Sequence, residues 1–254
     1  MQTGEAAPDQ VTPVPDQVMP VPAEPEPTFR TLWTLVGWYL LSLFGVGVLW
    51  GALLMGVKGS PEAPLVLAWQ KPINQLLTPA ILLWILFDEP LTRRIRLWSQ
   101  AELRLPALLA PLAAGVAYQA LVIGVTLLFV QYAGYHPPAT PGLIQDLPPG
   151  LLPPVLSAVG LCLLTPVAEE WLFRGLVQRV LVRRWGPVAG VGVTALLFVL
   201  LHPWNLRTFL TIGGLGLLLG VLAHRRQSLT YSILLHAGFN LVAVSLGLLR
   251  EIYL

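Results

Sequence analysis

The chain has 254 residues, of which 55% are hydrophobic and 11% charged, with a formal net charge of +2 and a mean hydropathy of +0.70. A soluble domain is about a quarter charged, so the composition excludes an ordinary soluble globular protein, and so small a net charge gives no electrostatic case for nucleic acid. The single cysteine, Cys162, leaves no intrachain disulfide to form.

Residues 1–29 differ from the rest. "PDQVTPVP" is followed at once by "PDQVMPVP", sharing Pro15, and the stretch carries Glu5, Asp9, Asp16, Glu24 and Glu26 without a Lys or Arg. Proline at this density removes backbone donors and prevents helix, which predicts an extended, disordered acidic tail. The stretch lacks the basic start and apolar core of a secretory signal.

From residue 30 to 254 the chain reads as a transmembrane helical domain. The first span is expected at Thr31–Val57, uncharged and rich in interfacial Trp. The second lies within Leu65–Phe87, its start blurred by "QKP" at Gln70–Pro72. The third is Pro106–Val130, and the fourth begins near Leu151. The fifth, sixth and seventh are Pro187–Leu201, Thr208–Ala223 and Leu229–Leu249. No stretch alternates as a strand does, so the expected fold class is all-α, a polytopic bundle of about seven spans of roughly 20 residues each.

Basic residues orient the spans. With the N-terminus in the cytoplasm, ten fall on that side: Arg30, Arg93, Arg94, Arg96, Arg104, Arg179, Arg183, Arg184, Arg225 and Arg226. Lys58, Lys71, Arg207 and Arg250 fall on the other, and Arg174 lies inside. The loop Tyr135–Gly150 has no Lys or Arg and falls outside. The second span is the weak link, because re-entry there would invert everything after it.

Beyond Glu102 the acids are Asp146, Glu169, Glu170 and Glu251, and only the adjacent pair lies in an apolar run, "VAEEWLFRG". A charge at a bilayer centre costs about 2.5–3.5 kcal/mol on insertion scales, so three together demand a reason. At about 100° per residue, Glu170 and Arg174 share a face in the favourable acid-before-base order. Glu169 points elsewhere and is the acid left over. Pro166 cannot donate to the Cys162 carbonyl and is expected to kink the helix. "FVLLHP" puts Phe198 and His202 four apart on the next span, and "HAGFN" puts His236 and Asn240 on one face of the last. His136 and His224 sit in a loop and at a basic boundary, where a solvated role suffices. Each polar group alone could be interhelical glue; together, in a chain with so few, they point to one site. Cys162, two turns before Glu169, reads as a small packing residue.

The ordered set Glu169-Glu170-x-x-x-Arg174, Phe198-x-x-x-His202 and His236-x-x-x-Asn240 resembles the CPBP family of CAAX prenyl proteases and bacteriocin-processing enzymes, over about residues 151–249. The resemblance implies an intramembrane endopeptidase acting on a membrane-associated peptide or a lipid-modified, CAAX-type protein tail. Glu169, aided by His202, would activate the attacking water. His236 and Asn240 would stabilise the oxyanion, with Glu170, Arg174 and Phe198 in support. Peptide hydrolysis needs a base and donors aimed at the developing charge. Glu169, His202 and His236 also suit a three-ligand zinc site with an open position, so metal and metal-free readings both stand. Two other functions compete: a non-proteolytic membrane scaffold of the same fold binding a membrane partner, and a transporter using Glu169 as proton carrier, the latter without the internal repeat it favours. The expected location is integral and multi-pass, in the plasma membrane for a bacterial host. The sequence fixes neither oligomeric state nor substrate.

Overall fold

The computed structural model describes residues 28–88, 104–134, 147–203 and 205–253. The proline-rich tail and most of the loop Tyr135–Gly150 therefore lie outside the described residues. Among those described, every regular element is helical, as the absence of strand alternation predicts.

Helix α1 (Phe29–Gly56) starts at a reciprocal cap, in which the Thr28 hydroxyl accepts from the Thr31 amide at 3.3 Å and the Thr31 hydroxyl accepts from the Thr28 amide at 3.5 Å. Together they satisfy two amides that helix starts leave open. Helix α2 (Ala63–Asp88) runs straight through Gln70–Pro72. Helix α3 (Leu105–Ala133) ends on the left-handed Gly134. Then comes α4, a 49-residue run from Leu152 to Leu200, followed by α5 (Leu206–Arg226) and α6 (Thr230–Tyr253).

Among the described residues five helices are long and apolar enough to cross a membrane: α1, α3, α4, α5 and α6 up to Leu249. This falls short of the expected seven for two physical reasons. Helix α2 carries Gln70, Lys71, Asn74 and Gln75 and does not qualify. The fourth and fifth expected spans are joined in α4, which breaks only at Gly186 (φ 81°, ψ 169°) ahead of Pro187. That conformation suits glycine alone, and it divides α4 into a first arm (residues 152–185) and a second arm (residues 187–200).

The first arm is the buried axis of the molecule. Every residue from Trp171 to Gln178 is buried, packed against Leu32 and Leu35 of α1 and Leu82, Ile85 and Leu86 of α2. A helix apolar all round is one buried all round; the outward faces of α1 and α3 instead expose large side chains such as Leu49, Phe44, Leu121 and Tyr132. Close backbone contact sets the rest. A β-carbon on Gly115 of α3 would collide with the Leu235 carbonyl, and one on Gly238 of α6 with the Leu112 carbonyl. Glycines on both sides of the α3–α6 seam, each against the backbone of the other helix, are the small-residue packing of membrane helices. Gly160 likewise lets α4 press on the Gln75 carbonyl of α2.

Candidate active site

Two π-helical segments, Gly160–Leu164 and Trp171–Val177, flank the α-turns Thr165–Glu170. Such widened turns accompany functional sites. The first corrects an expectation about Pro166. In the widened register the Thr165 amide donates to the Gly160 carbonyl, five residues back. The proton missing at Pro166 is then the one Leu161 would have received, not Cys162. Asn240 of α6 fills the gap, its Nδ2 donating to the Leu161 carbonyl at 2.8 Å.

The acid pair divides as the spacing requires. Arg174 Nη1 donates to Glu170 Oε1 at 2.7 Å, with both side chains fully buried. Nη2 donates to the Gly216 carbonyl of α5 at 3.1 Å. The guanidinium also lies over the Phe198 ring at 4.4 Å, a cation–π contact strengthened by the absence of water. A buried charge persists only with partners of this kind. The Gly216 carbonyl could not have been foreseen, because glycine in a Gly/Leu-rich span carries no signal of acceptance.

His236 of α6 joins the same cluster. Its Nδ1 lies 3.1 Å from Glu170 Oε1, and since a carboxylate only accepts, Nδ1 carries the proton. That hydrogen bond fixes ring orientation and tautomer. The other nitrogen, Nε2, stands 3.9 Å from Glu169 Oε2. Glu169 keeps a quarter of its side chain exposed, and Oε2 has no protein hydrogen-bond partner. The two nitrogens of one imidazole thus address the two adjacent acids.

Phe198 is the common wall. Its ring meets Phe173 edge-on at 5.1 Å, His236 edge-on at 5.9 Å and His202 at a tilt at 4.9 Å. His202, just past the end of the second arm, donates from Nδ1 to the Phe198 carbonyl at 2.8 Å. The structure therefore gathers Glu169, Glu170, Arg174 and His236, with His202 on a different contact of the Phe198 ring and Asn240 one turn beyond His236. One of the two amide protons of Asn240 goes to the Leu161 carbonyl.

For the zinc reading, the donor set is the test. Among the described residues no three His, Cys, Asp or Glu side chains cluster within reach of one ion. Glu169 and His236 approach each other, and His202 does not join them. The residues as placed do not form the three-ligand site.

A cavity of about 490 Å³ runs along α2, lined by Gln70, Asn74, Thr78 and, from α4, Thr165. Thr165 is four residues before Glu169, one helical turn away on the same face. The groove's signal was in the sequence as polar residues at i, i+4 and i+8 of α2, in a stretch where "QKP" drew attention to helix continuity instead.

Residues 151–242 match the family model of type II CAAX prenyl endopeptidases, Rce1-like. No curated protein and no solved structure matches the chain. The Rce1-like segment begins one residue before α4 and ends just beyond Asn240, so every candidate residue named above lies within it. The motif-based resemblance and the family model agree on a CAAX-type protease family. The apolar helices support an integral membrane protein, and residues 151–242 are similar to that protease family. The match names no catalytic residue and no substrate.

Proposed function

We propose that the chain is an intramembrane endopeptidase in which Glu169 is the general base. The observation that carries this is the placement of His236, held by Glu170 at Nδ1 and presenting Nε2 to Glu169 across 3.9 Å. With Nδ1 protonated, Nε2 is an acceptor, and so is the Glu169 carboxylate. A water donating one proton to each keeps its lone pairs for the scissile carbonyl. Glu169 takes the proton as the water attacks, and the resulting tetrahedral oxyanion needs donors. Asn240 keeps one amide proton for that purpose beside the one bound to Leu161. His202 borders the site across Phe198 as a second imidazole for proton transfer. Glu170 and Arg174 are positioning residues, acting through His236.

The substrate is a peptide or a lipid-modified protein tail held at the membrane. The polar groove along α2 suits it, because an extended main chain in an apolar setting requires hydrogen-bond partners that lipid does not supply. The helices are disposed in seven crossings, with α4 contributing two divided at Gly186 and α2 contributing one, and with the N-terminus, the basic end of the first arm of α4 and the basic end of α5 in the cytoplasm, the membrane being the plasma membrane if the host is bacterial. At 1.5 Å per residue α4 would reach roughly 70 Å, more than twice a bilayer core of about 30 Å, so it cannot make a single straight crossing.

The test is cleavage of a panel of C-terminal and leader peptides by purified wild type and Glu169→Gln in detergent. Wild type cleaves and the variant does not. Equal cleavage by both removes Glu169 from the role, and cleavage by neither favours a non-proteolytic scaffold.

A further inference from the structure

The geometry points to a second site in this chain, a pocket for the phosphate headgroup of an anionic lipid at the basic end of α4 and α5. A cavity of about 320 Å³ opens between the first arm of α4 and the last turn of α5, lined by Arg174, Gln178, Arg179, Arg183, His224 and Gln227 among others, with no acid among the described lining residues. Neither Glu169 nor Glu170 is among its described lining residues, and it plays no part in the proteolytic proposal.

Several observations fit a bound oxyanion. Arg174 is 2% exposed and its Nε donor has no hydrogen-bond partner, although both Nη groups are engaged. A buried donor left unmatched is costly, and a phosphate oxygen in the cavity would accept from it. Gln178, 3% exposed, has its amide nitrogen held by the Gly220 carbonyl at 2.9 Å while Oε1 lacks a partner; a headgroup hydroxyl would donate there. An anionic glycerol headgroup supplies acceptor and donor together.

A lipid source is favoured over a soluble one by position. The cavity lies at helix ends, beside the exposed Trp185, a residue type of the membrane–water interface. Along α5, within two turns of the cavity, Leu217, Leu218 and Val221 are exposed and offer acyl chains an apolar path. His224, Arg225 and Arg226 end that helix, and basic pockets between membrane helices hold lipid headgroups.

The test uses the full chain in neutral detergent, with retained lipid read by native mass spectrometry. Phosphatidylglycerol should be retained at least about tenfold over phosphatidylcholine. Arg179→Gln/Arg183→Gln should lose most of that preference and His224→Gln part of it. Arg225→Gln/Arg226→Gln removes the same charge from the same end outside the cavity and should keep it. Equal retention by wild type and the cavity variants, or equal loss in both double variants, overturns the pocket. Glycerol 3-phosphate binding as tightly as the lipid overturns the lipid source. Thermal midpoints measured in phosphatidylcholine identify an unfolded variant, and His224→Gln then decides alone.

Discussion

Asn240 on α6 donates to the carbonyl of Leu161 on α4 at 2.8 Å, the oxygen that Pro166 leaves without a backbone donor in the π-helical register. One side chain thus repairs a helix and reaches into the candidate site. Asn240→Ala should lower stability by about 1–3 kcal/mol, the cost of a buried acceptor left unmatched, and should also abolish or sharply reduce cleavage. Pro166→Ala returns a backbone N–H to the turn. The double variant should therefore recover stability without recovering cleavage, a coupling that a double-mutant cycle on thermal unfolding and peptide hydrolysis measures. Parallel recovery of both would confine Asn240 to helix repair.

The two adjacent acids should respond differently to removal. Glu169 is partly exposed with an unmatched oxygen, so Glu169→Gln should leave the unfolding midpoint within a few degrees while lowering kcat by about 10²–10⁴-fold, the usual worth of a general base. Glu170 holds both Arg174 and His236. Glu170→Ala strands a buried guanidinium and should cost about 3–5 kcal/mol of stability. Unfolding and cleavage measured on both variants separate the roles; a Glu169 variant destabilised as much as the Glu170 one would contradict the division.

That division was legible in the sequence because helix geometry depends only on spacing: Glu170 and Arg174 are four apart, and Glu169 is turned away. The all-helical class followed from an unbroken apolar pattern for the same reason. The rest depended on features that single residues do not encode. The π-helical register moved the unmatched carbonyl from Cys162 to Leu161. The length of α4 was not foreseen, because the fourth and fifth expected spans join in one helical run, although the fifth was expected to start at Pro187, next to the non-helical Gly186. Helix α2 is less apolar than the other long helices because it carries Gln70, Lys71, Asn74 and Gln75. The position of His236 between two acids belongs to the packing of α6 against α4, which no local pattern specifies.

The groove gives a prediction of its own. Gln70 and Thr78 line it with Thr165, away from the reacting groups. Gln70→Leu/Thr78→Leu should raise KM several-fold for a peptide substrate with kcat within about twofold, as expected when binding shared by ground and transition states is lost. Steady-state kinetics on the double variant settles it, and an unchanged KM would place the peptide elsewhere.

The seam between α3 and α6 fixes His236 and Asn240 in space and should be intolerant of bulk. Gly115 faces the Leu235 carbonyl and Gly238 the Leu112 carbonyl, each too close for a β-carbon. Gly115→Val forces the helices apart at the level of Leu235, next to His236. It should lower the unfolding midpoint by several degrees and also reduce cleavage, although residue 115 touches neither acid. Wild-type activity in that variant would mean that α6 is positioned by α4 and α5 alone.

Metal dependence follows from the same geometry. Glu169 and His236 come within 3.9 Å, while His202 is held by its own hydrogen bond to the Phe198 carbonyl at 2.8 Å and packs on that ring. That bond leaves His202 Nε2 free to ligate, but no three His, Cys, Asp or Glu side chains cluster among the described residues, so a three-ligand zinc site would require the His202 ring to move toward Glu169 and His236. Dialysis of the active protein against a strong chelator should therefore leave cleavage within about twofold of its starting rate. Complete loss, restored by zinc alone, would show that His202 makes that movement, and His202→Ala would then abolish zinc binding measured directly as well as activity.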